Sequence, residues 1–283
     1  MCPIFDSRGR NRAGATKNAA AGERICRSFS REILNMGRLS RLALIAAPLL
    51  VSVAAAPAAA ADLGAGFGVN GGATVVSDYR FRGISQSNRR VALQGTFSIS
   101  HSSGFYGTVW GSSIDDYVAN GSDTELDLII GYKKTFGSTT VDGGVLYYYY
   151  PGSGGIDSDF AEPYLSVSHA IGPVTAKGTV NWAPKQKGLT LDGVTKESGL
   201  YLGGDLSYAI PKTPIGLTAH VGHSFNENYI TFGEEYTDWS VGATFTKGPL
   251  VAGLSYVDTD TTLFGNGRNI SKGGVVASLG VSF

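Results

Sequence analysis

From Phe67 to the end of the chain, apolar and polar positions alternate with a period of two. The last stretch is the clearest case. Val275, Ala277, Leu279, Val281 and Phe283 share one parity, and Val276, Ser278, Gly280 and Ser282 share the other. Successive side chains of a strand point to opposite faces, so this pattern predicts a strand with one greasy side and one small, mostly polar side. Eleven earlier segments repeat it, beginning near Phe67, Val91, Phe105, Glu125, Val141, Phe160, Val174, Leu200, Ile215, Asp238 and Leu250. The first is expected to run to Arg82, with Tyr79 and Phe81 on the apolar face and Asp78, Arg80 and Arg82 on the polar one. In the third the parity is ambiguous, because Phe105/Val109 and Tyr106/Trp110 both qualify as the apolar set.

The connections alternate too. Those after the even-numbered strands are short and carry Gly or Pro: Gly104, Gly137, Gly172-Pro173, Pro211 to Pro214 and Gly248-Pro249. Those after the odd strands are mostly longer and rich in Asp, Asn, Ser and Gly; only the first is brief. An open sheet would leave an apolar edge exposed, whereas a closed barrel in lipid pairs every backbone group. The expectation is an all-β, antiparallel transmembrane β-barrel of twelve strands, with tight periplasmic turns, longer outer loops and both ends in the periplasm. Most segments are near the 9–11 residues that a tilted spanning strand needs. A soluble sandwich or barrel predicts the same alternation but not the alternating loop lengths. Tyr79, Phe81, Tyr149, Trp182, Phe225 and Trp239 near one set of strand ends, and Tyr132, Tyr208, Phe245 and Phe283 near the other, fit two interfacial girdles.

The N-terminal region changes the composition. From Met36 the chain reads as a secretory signal peptide, with Arg38 and Arg41, an apolar run from Leu42, and small residues Ala59 and Ala61 before a cut at Asp62. Residues 1–35 read as a disordered extension or an unused upstream start. Both cysteines, Cys2 and Cys26, lie before the cut, so no disulfide or thiol chemistry is expected in 62–283. That part keeps 14 basic and 20 acidic residues, a net charge of −6, which disfavours nucleic acid.

Candidate chemistry is sparse. GFGVNG at Gly66 to Gly71 matches a dinucleotide fingerprint, but it enters a strand rather than a helix. His220 and His223 stand three apart, so on a strand they face opposite ways and cannot share a metal. No Ser/His pairing falls together as a barrel hydrolase requires. No loop has calcium-binding EF-hand spacing, and the loop acids read as solvated charges. Neither an enzyme activity, a metal nor a cofactor is expected.

The stretch TVVSDYRFRGISQ, Thr74 to Gln86, resembles the opening hallmark of the TorF family of porin-like proteobacterial proteins. Further pieces are similar: Gln94-Gly95, FYGTVWGSSID from Phe105, ELDLIIGY from Glu125 and YYYYPG from Tyr147. Arg89-Arg90-Val91 departs from that pattern. The resemblance implies a channel-like protein of the cell outer membrane, with no settled solute.

Taken with the alternation, the expected function is passive diffusion of small hydrophilic solutes. A plugged barrel acting structurally or adhesively through its outer loops is the alternative, and a barrel enzyme comes after it. The expected pore-lining residues are Asp78, Arg80, Arg82, Glu125, Asp127, Glu162, Asp205 and Asp238. With Lys133, Asp142 and Lys177 they make a net acidic lumen, which predicts weak cation preference. The expected partners are outer-membrane lipid, lipopolysaccharide and the barrel-assembly machinery, with Phe283 as the signal that machinery reads.

Overall fold

The computed structural model describes residues 61–155 and 157–283. The extension expected over 1–35 and the signal peptide expected over 36–61 lie outside them, apart from Ala61.

Seventeen strands are present among the described residues. Twelve build the barrel: β2 (Phe67–Val76), β5 (Ala92–His101), β6 (Phe105–Ser113), β7 (Thr124–Phe136), β8 (Thr139–Tyr149), β9 (Phe160–Ile171), β10 (Val174–Gln186), β11 (Glu197–Ala209), β12 (Ile215–Ser224), β13 (Tyr236–Lys247), β14 (Leu250–Thr259) and β17 (Gly274–Ser282). Each pairs antiparallel with its neighbour in sequence, and β17 closes the barrel on β2, from Ser278↔Val76 to Ser282↔Gly72. The remaining strands are β1 (Ala61–Gly64) and two hairpins of two-residue strands, β3 (Arg80–Phe81) with β4 (Ile84–Ser85), and β15 (Phe264–Gly265) with β16 (Arg268–Asn269). β1 takes the edge of β2 that β17 leaves free, with Ala61 opposite Val69. The last residue stands between them, exchanging both backbone hydrogen bonds with Gly71 at 3.0 Å.

The two ends differ as the loop lengths predict. Gly137, Gly172 and Gly248 open two-residue turns at φ +60°, +58° and +58°, the conformation that glycine adopts without a steric penalty. The opposite end carries the connections 77–91, 114–123, 150–159, 187–196, 225–235 and 260–273. On the outside, large apolar side chains stand exposed on every barrel strand, Ile130 at 74%, Leu93 at 62% and Leu279 at 60% among them. Only lipid covers such a continuous belt in a stable protein. In β6, Phe105 and Val109 face out while Tyr106 and Trp110 face the lumen, which settles the ambiguous parity.

One expectation needs correction. The first strand ends at Val76, not at Arg82. The chain then turns into the lumen, so the first long-end connection is not brief. Tyr79 and Phe81 leave the aromatic girdle and are 5% and 8% exposed inside the barrel. The alternation of Asp78, Arg80 and Arg82 with Tyr79 and Phe81 is real, but it belongs to the inward hairpin. Tyr149, Trp182, Phe225 and Trp239 remain exposed at the long-loop end, and Tyr132, Tyr208, Phe245 and Phe283 at the other.

Candidate functional site

The candidate site is the long-loop half of the lumen, which the 77–91 segment fills. Its tip is the two-residue turn Arg82–Gly83 between β3 and β4, with φ +47° and +79°. Successive positive φ values suit the tight hairpin turn whose twist matches paired strands. Gly83 lies hard against the wall: a Cβ there would meet Thr259 Cγ2 at 2.3 Å and Asp238 Cβ at 2.8 Å.

Charge and hydrogen bonds hold the hairpin. Arg80 Nε donates to Asp78 Oδ2 at 2.6 Å, and its other nitrogens donate to the carbonyls of Gly83 and Lys272 at 2.9 and 3.2 Å. Ser85 Oγ donates to Asp78 Oδ1 at 2.5 Å. Arg82 reaches across to β9, where its Nη2 donates to both carboxylate oxygens of Glu162 at 2.7 and 2.8 Å. Its guanidinium lies over the rings of Tyr201 and Phe81, 4.3 and 4.7 Å from their centroids. Glu162 also accepts from Asn181 at 3.0 Å and Tyr148 at 3.2 Å. Charge-assisted bonds of this kind, shielded from water, are the strong ones.

Beside it, His220 Nδ1 lies 2.8 Å from Asp205, and its Nε2 lies 3.1 Å from Tyr201 and 3.2 Å from Asp238. Tyr201 donates to Asp238 at 2.7 Å. His223 points the other way, against Thr237 and Phe225. No Ser or Cys hydrogen-bonds His220 among the described residues. On β7, Glu125 accepts from Tyr79 at 3.0 Å, and Asp127, two residues on, is fully buried with neither oxygen hydrogen-bonded.

An apolar core lies inside the barrel around these groups. Val76, Phe81, Leu146, Tyr148, Tyr150 and Phe160 pack together with Ile114, Val118 and Leu189 from the long-end connections. The connections hold the segment from above: Asp115 N donates to Gln86 O at 2.7 Å, and the Tyr117 hydroxyl donates to Ser85 O. Burial pushes the Tyr117 hydroxyl up to about 12, so it stays a donor at physiological pH. The short-turn half differs. Ser98, Thr108, Thr175, Ser207, Thr218 and Thr244 face in and are half-exposed, which makes the inner face there rich in hydroxyls. There Lys133 pairs with Asp142 at 3.6 Å.

The eight residues expected to line the pore lie inside the barrel at this level, in the packed half rather than along an open passage. Seven are buried, and Asp205 is half-buried. Tyr148, Asn181 and Tyr201 join the same network and were not singled out from the sequence, and His220 was weighed there only as a metal ligand with His223. Their inward parity was the available signal. Tyr79 had none, because its parity pointed to lipid.

Comparison with known proteins agrees with the architecture. A family model described as "Bacterial protein of unknown function (Gcw_chp)" matches residues 59–283. No curated protein matches the chain. Among solved structures, the NanC porin superposes with TM-score 0.52 at 14% identity, over 76% of this chain and 98% of that one. An outer membrane channel from Pseudomonas putida F1 has TM-score 0.47 at 12% identity, over 78% and 98%. At such identity the porin likeness shows the fold, a closed β-barrel of the outer-membrane class.

Proposed function

The chain belongs to the Gcw_chp family of bacterial proteins of unknown function, and for it we propose a porin-like channel of the outer membrane, held closed by its first outer connection. The observation that carries this reading is the inward 77–91 hairpin, tied to the far wall by Arg82 and Glu162. Below it lie the half-exposed hydroxyls of the short-turn half; above it lie the packed connections. Small hydrophilic solutes pass when the hairpin leaves the lumen. The lumen is rich in hydroxyls and carboxylates, which suits the passage of hydrophilic solutes. The motif from Thr74 to Gln86, which resembles the TorF hallmark, is this hairpin with the strand that leads into it. Lipid and lipopolysaccharide surround the barrel, and the assembly machinery reads Phe283.

Planar-bilayer recording tests the channel. The intact chain is expected to show low or intermittent conductance. A chain in which Asp78 to Ser87 is replaced by a short Gly/Ser turn is expected to conduct steadily. No current from the folded, shortened barrel would sink the channel and favour the structural or adhesive reading, which the packed lumen otherwise suits.

Selectivity follows from the charge count. Asp78, Glu125, Asp127, Glu162, Asp205 and Asp238 outnumber Arg80, Arg82 and any protonated His220, so the passage prefers cations weakly. Salt blunts the preference, since the Debye length falls from about 10 Å at 0.1 M to about 3 Å at 1 M. Reversal potentials in a salt gradient check it. Neutralising Glu125 and Asp127 should lower the preference, and anion preference in the unmodified protein would refute it.

A further inference from the structure

Both buried arginines of the lumen ride on the inward hairpin. Arg80 carries its partner with it, because Asp78 belongs to the same segment. Arg82 does not. Its partner Glu162 stands on β9, and no other ion pair among the described residues reaches that carboxylate. A hairpin that leaves the lumen therefore strips Glu162 of its cation, while the wall around Glu162 stays where it is.

That wall is a built receptor on four consecutive strands. Tyr148 on β8 donates to Glu162 Oε2 at 3.2 Å, and Asn181 Nδ2 on β10 donates to the same oxygen at 3.0 Å. Tyr201 on β11 sets its ring 4.3 Å from the Arg82 guanidinium carbon. Its hydroxyl donates to Asp238 at 2.7 Å, which ties the ring to β13. A carboxylate oriented by wall donors beside an aromatic face suits a guanidinium, the planar cation that forks onto oxygens and stacks on rings.

Arg82 fills this receptor incompletely. Its Nη2 alone spans both Glu162 oxygens, whereas a full fork uses two nitrogens. Arg82 Nε is buried without a hydrogen-bond partner, and so is Asn181 Oδ1, on a side chain that is 5% exposed. A buried donor and a buried acceptor are thus both unused, although the Asn181 amide already meets Glu162 through its nitrogen. The backbone explains the misfit. Arg82 is held at φ +47°, and its neighbour Gly83 is seated against Thr259 and Asp238, so the guanidinium cannot shift to complete the fork. A guanidinium free of the chain has no such restraint.

We propose that the wall around Glu162 is a recognition site for a guanidinium group, occupied by Arg82 while the hairpin is seated and open to guanidinium-bearing solutes when it leaves. Such a solute competes with Arg82 and so favours its own passage. A primary ammonium suits the site less well, since it is a point charge with neither a fork nor a flat face. A metal ion suits it less again, because no group of three or more His, Cys, Asp or Glu able to hold one exists among the described residues. The solute class rests on the channel reading, but the site does not, because binding is measured without current.

The folded full-length barrel in detergent carries the test. Arg82→Ala empties the site whether or not the hairpin stays seated. In titration calorimetry at neutral pH, butylguanidinium chloride should bind this variant saturably. Butylammonium chloride should bind about tenfold more weakly, and uncharged butylurea should not bind. Adding Glu162→Gln should weaken butylguanidinium by about tenfold or more, the scale of a hydrogen bond to a charged group. Because Arg82→Ala leaves a buried charge without a partner, the unmodified chain provides a second measurement. There butylguanidinium should displace Arg82 and speed amide exchange over 77–91, while exchange in the barrel strands stays unchanged and butylammonium has a smaller effect. Equal binding of the charged probes overturns the proposal, as does binding undiminished by Glu162→Gln. No binding to folded Arg82→Ala overturns it too, and so does unchanged exchange over 77–91 in the parent. Butylguanidinium binding in a barrel that never conducts would refute the channel and leave the site standing. Steady current without that binding would refute the site and leave the channel.

Discussion

Arg82 and Glu162 stand 80 positions apart in the chain and meet inside the barrel, with Arg82 Nη2 2.7 Å from one carboxylate oxygen and 2.8 Å from the other. One belongs to the tip of the inward hairpin and the other to the wall. Both side chains are shielded from water, at 2% and 0% exposure. Breaking a buried pair from one side leaves the other charge without a partner, at a cost of about 3–5 kcal/mol. Arg82→Ala should therefore loosen the hairpin without dissolving the barrel. In bilayers the variant should open more often than the parent, and amides in 77–91 should exchange faster while those of the barrel strands do not. Unchanged exchange in 77–91 would show that the pair does not hold the hairpin.

Gly83 tests the same device sterically. Its φ is +79°, and a Cβ would come within 2.3 Å of the Thr259 methyl and 2.8 Å of Asp238 Cβ. Gly83→Val combines backbone strain with a clash and should destabilise the seated hairpin by about 2 kcal/mol. Conductance should rise as it does for Arg82→Ala, while the melting of the barrel strands followed by circular dichroism stays close to the parent. A silent substitution would mean that the tip does not sit against β13 and β14.

The seam supports an assembly prediction. Phe283 and Gly71 exchange both backbone hydrogen bonds, and a Cβ on Gly71 would fall 2.8 Å from the Phe283 ring. Phe283→Ser, or its deletion, should lower the amount of folded protein recovered from the outer membrane and raise the periplasmic fraction. Gly71→Val should slow folding into lipid by pushing the ring aside, and adding Phe283→Ala should relieve part of that defect. Normal membrane levels of the Phe283 deletion would rule out its role as a signal.

A pH prediction concerns the connection between β10 and β11. Asp192 accepts from the Thr195 hydroxyl at 2.7 Å, the Thr195 amide at 2.6 Å and the Val194 amide at 2.8 Å. These bonds, the Thr195 hydroxyl first, hold its carboxyl below the usual carboxylate range. A depressed folded value means that the contribution to loop order is present above the ordinary aspartate range and is lost as pH falls through the lowered value. The Asp192 carboxyl carbon should titrate below an ordinary aspartate, by NMR of the labelled protein, and Thr195→Val should move it back up. An ordinary titration in the parent would count against the turn.

What could be read from the chain alone follows from the range of the interactions involved. Period-two alternation is local, and it predicted all twelve barrel strands, because lipid on one side and water on the other impose opposite demands on neighbouring residues. Gly137, Gly172 and Gly248 marked the short turns, since their backbone conformation excludes most other residues. The lumen-facing parity of Glu125, Asp127, Glu162, Asp205 and Asp238 was equally legible. What alternation could not decide was where a strand leaves the wall. From Ser77 onward the apolar set still alternates, but Tyr79 and Phe81 bury themselves in a core inside the barrel instead of in lipid. Both environments accept an aromatic ring, so the pattern is the same for either. Only partners distant in the chain distinguish them: Glu162 for Arg82, Glu125 for Tyr79, and the backbone of Ile270 for Ser85. The tertiary structure made that choice, because the buried Arg82 is tolerable only where a carboxylate meets it, and Glu162 on a strand distant in the chain supplies one.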